Sequence, residues 1–587
     1  MLALIILCIL LTWLLCAGVC IGIGFFLLRG LRFACSITEA LWTGLALITG
    51  FLQLYHFFRP IDIVAVLLLA ALALAGWLWN YAVRAPGASA GNASAQQDWR
   101  ERKQLGLAAL LLYIPAAAII AFRCVAVGEH YDTGLYGAQA VRWFTTYPLV
   151  PGLANLIGQL GFNSSVFLCI AALDQGPWRG LAHHLFAGFL IAAFFVSIIP
   201  AVLRILRAES TSSIDWFLTL LFIPVTILAT TGKIVGTNTD LPTTVVCLVA
   251  TALLFRALDE GSPQDATADS KAGYLLIAMA LFSLAVTFKI SSIVFASLGW
   301  TLSAWKFWSL SRTTPGRKQQ LVWAVILSAL IVLPWIGRGL VLSGYPFFPS
   351  TVLPMAVDWK VPTAITQGQA DFARSFARIP ELTGAYANGW NWLRPWFREM
   401  LTEREGFVIP LVFALVGGVT GIIRMARDKR ATIPRWMWLL VPSMASLIFW
   451  FLEAPALRFG EPAIWTAGAT LGILAAVHWL KRPATTRIAV VGLVLLTAWA
   501  AHPRLFWNSY FRPSVGVRAF LRLPEATVKP HQSISGLIVN VPVGTNQCWD
   551  APLPCSPNFN GKLSLRKPGE LERGFVWNES GEATRQK

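Results

Sequence analysis

Apolar runs long enough to cross a bilayer recur from one end of the chain to the other. A helix needs about 20 apolar residues to traverse the hydrocarbon layer. Fourteen stretches approach that length, near 2–28, 37–58, 61–82, 106–127, 181–203, 213–231, 241–256, 273–288, 290–307, 321–337, 406–424, 436–452, 462–480 and 488–502. Those at 37–82 and 273–307 follow so closely that each reads as a hairpin. The first run is too long for a secretory signal and has no basic leading segment. The pattern predicts an all-α polytopic membrane protein with about 14 transmembrane helices.

Composition excludes the alternatives. Of 587 residues 56% are apolar and 13% charged, against about 45–50% and 25% in soluble proteins. Such a chain cannot clothe itself in polar side chains, so soluble, fibrous and disordered classes drop out. The 26 Trp suit the membrane–water boundary. A net charge of +18 would suggest nucleic acid on a soluble protein; here the basic residues fall in alternate loops. Arg29 and Arg32, Arg84 to Lys103, Arg204 and Arg207, Arg256 and Lys271, Lys306 to Lys318, Arg424 to Arg435, and Lys481 to Arg487 mark every second connection. Lys and Arg accumulate in cytoplasmic loops, which predicts both termini outside, together with the long segments 128–180, 338–405 and 503–587.

Four regions are expected: an N-terminal three-helix segment (1–83), a small-residue cytoplasmic linker (84–105), a transmembrane core (106–502), and an extracytoplasmic C-terminal cap (503–587). The spacings Gly18/Gly22, Gly417/Gly421 and Gly468/Gly472 mark close helix packing. Most Cys lie in apolar runs as small hydrophobes. Cys548 and Cys555 differ, standing in the cap as CWDAPLPC. A disulfide there suits an oxidising compartment, and a zinc site lacks a nearby His. The cap reads as β structure over Ser533–Val543, with turns at Gly544–Asn546 and Pro554–Asn560.

Candidate chemistry gathers at the outer loop mouths. After the fourth run the chain reads Gly128-Glu129-His130-Tyr131-Asp132-Thr133-Gly134-Leu135-Tyr136-Gly137. Tyr136, Ala140, Trp143 and Tyr147 fall on one face, which predicts an interfacial helix starting at Asp132. Asp132 reads either as an N-cap or as a functional carboxylate, since charge at such depth is costly. Asp240, in Thr239-Asp240-Leu241-Pro242, carries the same two readings. Lys289, Arg338 and Arg458 are basic residues that the cytoplasmic-charge rule does not explain. They read either as ligands for a lipid phosphate or diphosphate or as charges that snorkel to lipid headgroups or pair with Glu453 and Glu461. The aromatic stretch Trp390–Trp396 reads as interfacial anchors or the lining of a groove.

Tyr131-Asp132-x-x-x-Tyr136, followed by Asp240 in the next outer loop, resembles the GT-C superfamily of membrane glycosyltransferases. The longer string Tyr131–Gln139, with Pro151–Leu156, Phe162–Ser165, Arg458-Phe459 and the paired tail cysteines, is similar to an uncharacterised family of bacterial polytopic proteins. Two positions depart from the patterns: Gly137 replaces an expected His, and Thr133 follows Asp132 where GT-C enzymes carry Glu. Three runs also precede the usual first span.

The resemblance implies a GT-C-like core and sugar transfer from a polyprenyl-phosphate donor to a glycan, lipid or protein acceptor at the outer face. Asp132 and Asp240 would be the catalytic acids, with a divalent cation, Mg or Mn, between them as an option. Glu129, His130, Tyr136, Lys289, Arg338 and Arg458 would bind substrate. The implied setting is a bacterial inner membrane. The competing classes are a lipid-linked sugar flippase or other polytopic transporter, and a structural partner in polymer assembly.

Overall fold

The computed structural model describes residues 1–578 apart from 34, 84–92, 126–129, 208–211, 261–266, 315, 381–388, 429–431 and 507–521. Its helices are α1 (Leu2–Gly30), α2 (Ile37–His56), α3 (Ile63–Val83), α4 (Ala93–Cys124), α5 (Ala138–Thr146), α6 (Val166–Leu173), α7 (Phe186–Arg207), α8 (Ser213–Thr230), α9 (Asp240–Leu258), α10 (Ala268–Phe288), α11 (Ile293–Thr313), α12 (Arg317–Ser343), α13 (Thr363–Arg378), α14 (Leu393–Thr402), α15 (Ile409–Arg427), α16 (Leu440–Glu453), α17 (Leu457–Trp479) and α18 (Pro483–Phe506). Among the described residues, 12 helices are long and apolar enough to cross a membrane, the pattern of a multi-pass membrane protein. α4 starts at Ala93, inside the stretch expected as a linker.

The expected runs at 290–307 and 462–480 form α11 and α17, which fall outside that set of 12. Both nevertheless run the length of the bundle. α11 has 21 residues, about 32 Å at the helical rise. It starts beside Lys289, which pairs with Asp240, and leads into Arg317, which pairs with Asp269 at the opposite end. α17 starts at the turn bearing Arg458 and ends at Trp479, whose indole donates to Thr420 near the far end of α15. Many of the Gly, Ala and Thr residues of α17 are buried against neighbouring helices.

α9 and α10 form the centre, each with 94% of its span buried. The paired glycine spacings of α15 and α17 meet. A Cβ on Gly417 would run into the carbonyl of Leu471, and one on Gly468 would come within 2.7 Å of the Pro410 carbonyl. Small residues let these backbones approach where no hydrophobic force drives helices together in lipid. Gly22 likewise meets Ala73 of α3, whereas a Cβ on Gly18 would point into open space. Ser36 and Glu39 close a capping box at the start of α2.

The two ends of the bundle differ. At one, the Lys/Arg-rich connections are tied down: Arg204 grips Asp215 at 2.6 Å, Arg435 pairs with Glu260, and Arg487 donates to the Leu206 carbonyl at 2.9 Å. At the other, the segments 130–180, 338–380 and the C-terminal cap gather. Asn155 donates to the Trp359 carbonyl at 2.8 Å, and Arg566 reaches Asp358 at 2.7 Å.

The cap has two antiparallel pairs, β1 (Val528–Gln532) with β2 (Ile538–Pro542) and β3 (Leu563–Leu565) with β4 (Phe575–Trp577). Ser533–Leu537 is the turn of the first pair, so the strand expected over Ser533–Val543 is shorter and its partner lies upstream. Cys548 and Cys555 are joined as a disulfide. The helix expected to lie along the interface is instead covered: Ala140 and Trp143 are buried, and the Trp143 ring meets Phe575 of β4 edge-on at 5.8 Å.

Candidate functional site

Asp132 immediately precedes a wide, π-helical turn, Thr133–Gly137, that feeds into α5. Such turns recur at functional sites because the extra residue re-aims its neighbours. Both departures from the resembled patterns have a physical reason here. The Thr133 hydroxyl accepts from the backbone N–H of Thr237 at 3.0 Å. At Gly137 any Cβ would collide with the Thr237 side chain. The loop carrying Asp132 is thereby stitched to the loop carrying Asp240. Asp132 makes no capping bond, so its N-cap reading is not the one realised.

The same is true of Asp240, the first residue of α9. Asn238 supplies the cap, its Oδ1 accepting from the Leu241 N–H at 3.1 Å. The Asp240 side chain is buried and pairs with Lys289 from the α10–α11 turn. Lys233 lies between α8 and α9 and reaches Glu461 of α17 at 3.3 Å, and Glu461 also accepts from Thr244 at 3.3 Å. Arg458 stands 3.9 Å from Asp132. That is an ion pair too long for a hydrogen bond. The Phe459 ring lies under both cations, 4.3 Å from Lys289 Nζ and 5.0 Å from the Arg458 guanidinium.

These groups share one electrostatic field. Burial holds His130 below the ordinary histidine pKa despite the opposing pull of Asp132 and Asp240, so its ring is neutral at neutral pH. Its Nδ1 has no hydrogen-bond partner among the described residues. Burial, reinforced by the same two carboxylates, drives the Tyr136 phenol well above its usual range and keeps it a donor. Lys289 is pulled down by burial, partly offset by Asp240. For Lys233 burial acts downward, but Glu461 and Asp240 outweigh it and raise the ammonium.

Of the residues expected from sequence, His130, Asp132, Tyr136, Asp240, Lys289 and Arg458 come together. Glu129 lies outside the described residues. Arg338 is placed apart: fully buried in α12, it bonds Asn163 Oδ1 at 3.2 Å and His56 Nδ1 at 2.6 Å over the Phe144 ring. It straps α2, α5 and α12 together and does not face the cluster. Arg458 pairs with Asp132 rather than with Glu453 or Glu461, the partners the sequence offered the basic residues; Glu453 pairs with Arg374 at 2.8 Å.

Lys233 and Glu461 are members that the sequence reading missed as site residues. Lys233 sits in the α8–α9 connection, Thr231-Gly232-Lys233, at the same end of the bundle as Lys289, and the argument that singled out Lys289 applies equally. The option of a metal between Asp132 and Asp240 does not fit the donor set. Lys289 and Arg458 already supply the positive charge, and among the described residues no group of three His, Cys, Asp or Glu is placed to hold an ion.

The aromatic stretch anchors a turn. Trp392 and Trp396 are buried against Trp450 and Phe451. The Trp396 and Trp450 indoles donate to the Pro455 and Ala456 carbonyls, each at 2.7 Å, and so brace the turn that presents Arg458. Two cavities lie elsewhere. One, of about 200 Å³, lies at the basic end by Glu39 and Arg204, and the other is an apolar groove between α2 and α12.

No curated protein matches the chain. A family model described as a domain of unknown function (DUF8201) matches residues 6–465. That match takes in most of the chain and every member of the charged cluster from His130 to Glu461, and the chain belongs to this family.

Proposed function

We propose that this protein is a membrane glycosyltransferase that moves a sugar from a polyprenyl-phosphate carrier to an acceptor at the site end of the bundle, the outer face of a bacterial inner membrane. The observation that carries the reading is the unequal state of the clustered carboxylates. Asp240 and Glu461 are committed to Lys289, Lys233 and Thr244 and are 3% and 13% exposed. Asp132 is 30% exposed and accepts no hydrogen bond among the described residues, although Arg458 holds it in place. A carboxylate held by charge but left with open lone pairs suits a general base.

In this reading Asp132 takes the proton of an acceptor hydroxyl whose oxygen attacks the anomeric carbon. The bond from that carbon to the phosphate oxygen breaks, and its electron pair leaves with the carrier phosphate. Lys289 and Arg458 stabilise that charge, the kind of preorganised electrostatics that contributes most to lowering a barrier. Asp240 keeps Lys289 aimed, and Tyr136 and His130 offer neutral hydrogen-bonding groups to the sugar.

The test is the surface glycan profile of the native host with Asp132→Asn. We expect at least a hundredfold loss of product at normal protein level. A wild-type profile sinks the reading. Loss of product with donor lipid trapped on the inner leaflet favours the flippase.

A further inference from the structure

The family match ends at residue 465, yet the cap beyond it reaches back to the site. Trp549, inside the loop closed by Cys548 and Cys555, donates its backbone N–H to the Gly134 carbonyl at 3.0 Å. Its indole lies flat on Gly134, so close that a Cβ there would be 2.6 Å from the ring. Buried Gln139 donates to the Trp549 and Ala551 carbonyls at 3.0 and 2.9 Å. Arg142 binds Asp550 through its carbonyl at 2.6 Å and its carboxylate at 2.8 Å. Gln547 donates to the Tyr131 carbonyl at 3.1 Å, and Asn546 bonds the Tyr131 hydroxyl.

The contacts flank Asp132 on both sides in sequence, and none touches its carboxylate. Trp549 has φ 42°, a left-handed conformation unusual for a bulky residue. Such a conformation persists only where the surroundings over-determine it. Here the closed loop and the carbonyl bonds to Gln139 do so.

Building on the transferase reading above, we propose that the segment 546–551, which leads into the Cys548–Cys555 disulfide loop, is a positioning element of the site. It clamps the π-helical turn at Gly134, as Thr237 holds it at Thr133 and Gly137, and so sets where Asp132 stands relative to Arg458 and the acceptor. Trp549 is the positioning residue, acting through Gly134, and the Cys548–Cys555 bond makes site assembly depend on an oxidised cap.

The full-length protein in detergent is compared as wild type, Trp549→Ala, Trp549→Phe, and Cys548→Ser with Cys555→Ser. Two readouts are used: hydrogen exchange of the peptide spanning 131–142, and surface glycan in the native host. Trp549→Ala and the double serine variant are expected to speed exchange at 131–137 at least tenfold and cut product tenfold. Trp549→Phe, which keeps a flat ring on Gly134, restores both.

Unchanged exchange in Trp549→Ala overturns the proposal. So does wild-type product from Trp549→Ala in a host where Asp132→Asn makes none, and so does a failure of Trp549→Phe to rescue. If Asp132→Asn itself makes normal product, the transferase reading falls, and the clamp is then decided by the exchange result alone.

Discussion

Asp240 and Lys289 illustrate how far a single residue's meaning depends on its partner. The Asp240 carboxylate, 3% exposed, is tolerable only because an ammonium faces it. Removing one partner of a buried pair leaves an uncompensated charge and typically costs about 3–5 kcal/mol. Lys289→Met is therefore expected to lower stability by about 3 kcal/mol, the low end because Lys233 and Arg458 still act on Asp240. Thermal unfolding in detergent reads this directly. Lys289 also sets a pH limit. Burial lowers its pKa, so the proposed activity should decline with rising pH before an ordinary lysine would lose its proton. Lys289→Arg should carry the alkaline limb to higher pH, and an unmoved limb would remove Lys289 from the mechanism.

Elements meet here through small residues and tied loops. Gly417 of α15 has the Leu471 carbonyl where a Cβ would go, so Gly417→Leu must push α15 off α17. We expect a loss of about 3 kcal/mol or more, at the upper end for overpacking, seen as a lowered unfolding temperature. Gly418 faces open space, and Gly418→Leu is the matched control. In the loop after α6, Asp174 accepts from the Gly180 N–H at 2.8 Å, and burial pushes its carboxyl up to about 6.

An acid with a raised folded-state pKa binds its proton more tightly when folded than unfolded. Stability therefore falls as pH rises from about 4, the ordinary carboxyl value, through about 6, and the penalty is full above that. Asp174→Asn should flatten this slope. Two pKa units correspond to about 2.8 kcal/mol, and partial solvent screening brings the expected gain at pH 7 to about 1–2 kcal/mol. No gain at pH 7 would show that solvent reaches the carboxylate.

Across the whole molecule, the site end collects segments that are far apart in the chain, while the basic connections occupy the opposite end. If basic loops mark the cytoplasm, Leu353 faces outward and Thr313 inward. Single cysteines at these positions, in a background that keeps only Cys548 and Cys555, should label differently with an impermeant thiol reagent. The residue at 353 should react in intact cells and the residue at 313 only after permeabilisation. The reverse pattern would turn the protein over and move the cluster to the cytoplasm.

Much of the architecture was legible without coordinates. Crossing a membrane as a helix is decided within about 20 consecutive residues, and among the described residues 12 of the expected runs coincide with helices long and apolar enough to cross. The alternation of basic loops is equally local. Asp132, Asp240, Lys289 and Arg458 stood out because charge at a loop mouth is conspicuous in an apolar chain. The pairing of these charges was not legible. Arg458 could be matched to its sequence neighbours Glu453 and Glu461, but its partner is Asp132, many helices earlier. Arg338 carried the same signal as Lys289, yet Arg338 lies within α12 and packs against α2, whereas Lys289 lies in the α10–α11 turn and faces the cluster.

The sequence by itself determined that this chain is a bundle of apolar helices with charged mouths, because hydrophobic length and charge placement are properties of short stretches read one at a time. Only the tertiary structure decided which mouth residues form one field, why Thr133 and Gly137 depart from the resembled motifs, and that the C-terminal cap grips the turn of Asp132. Those facts depend on contacts between distant segments, where a few ångströms of helix placement separate an ion pair from an isolated charge.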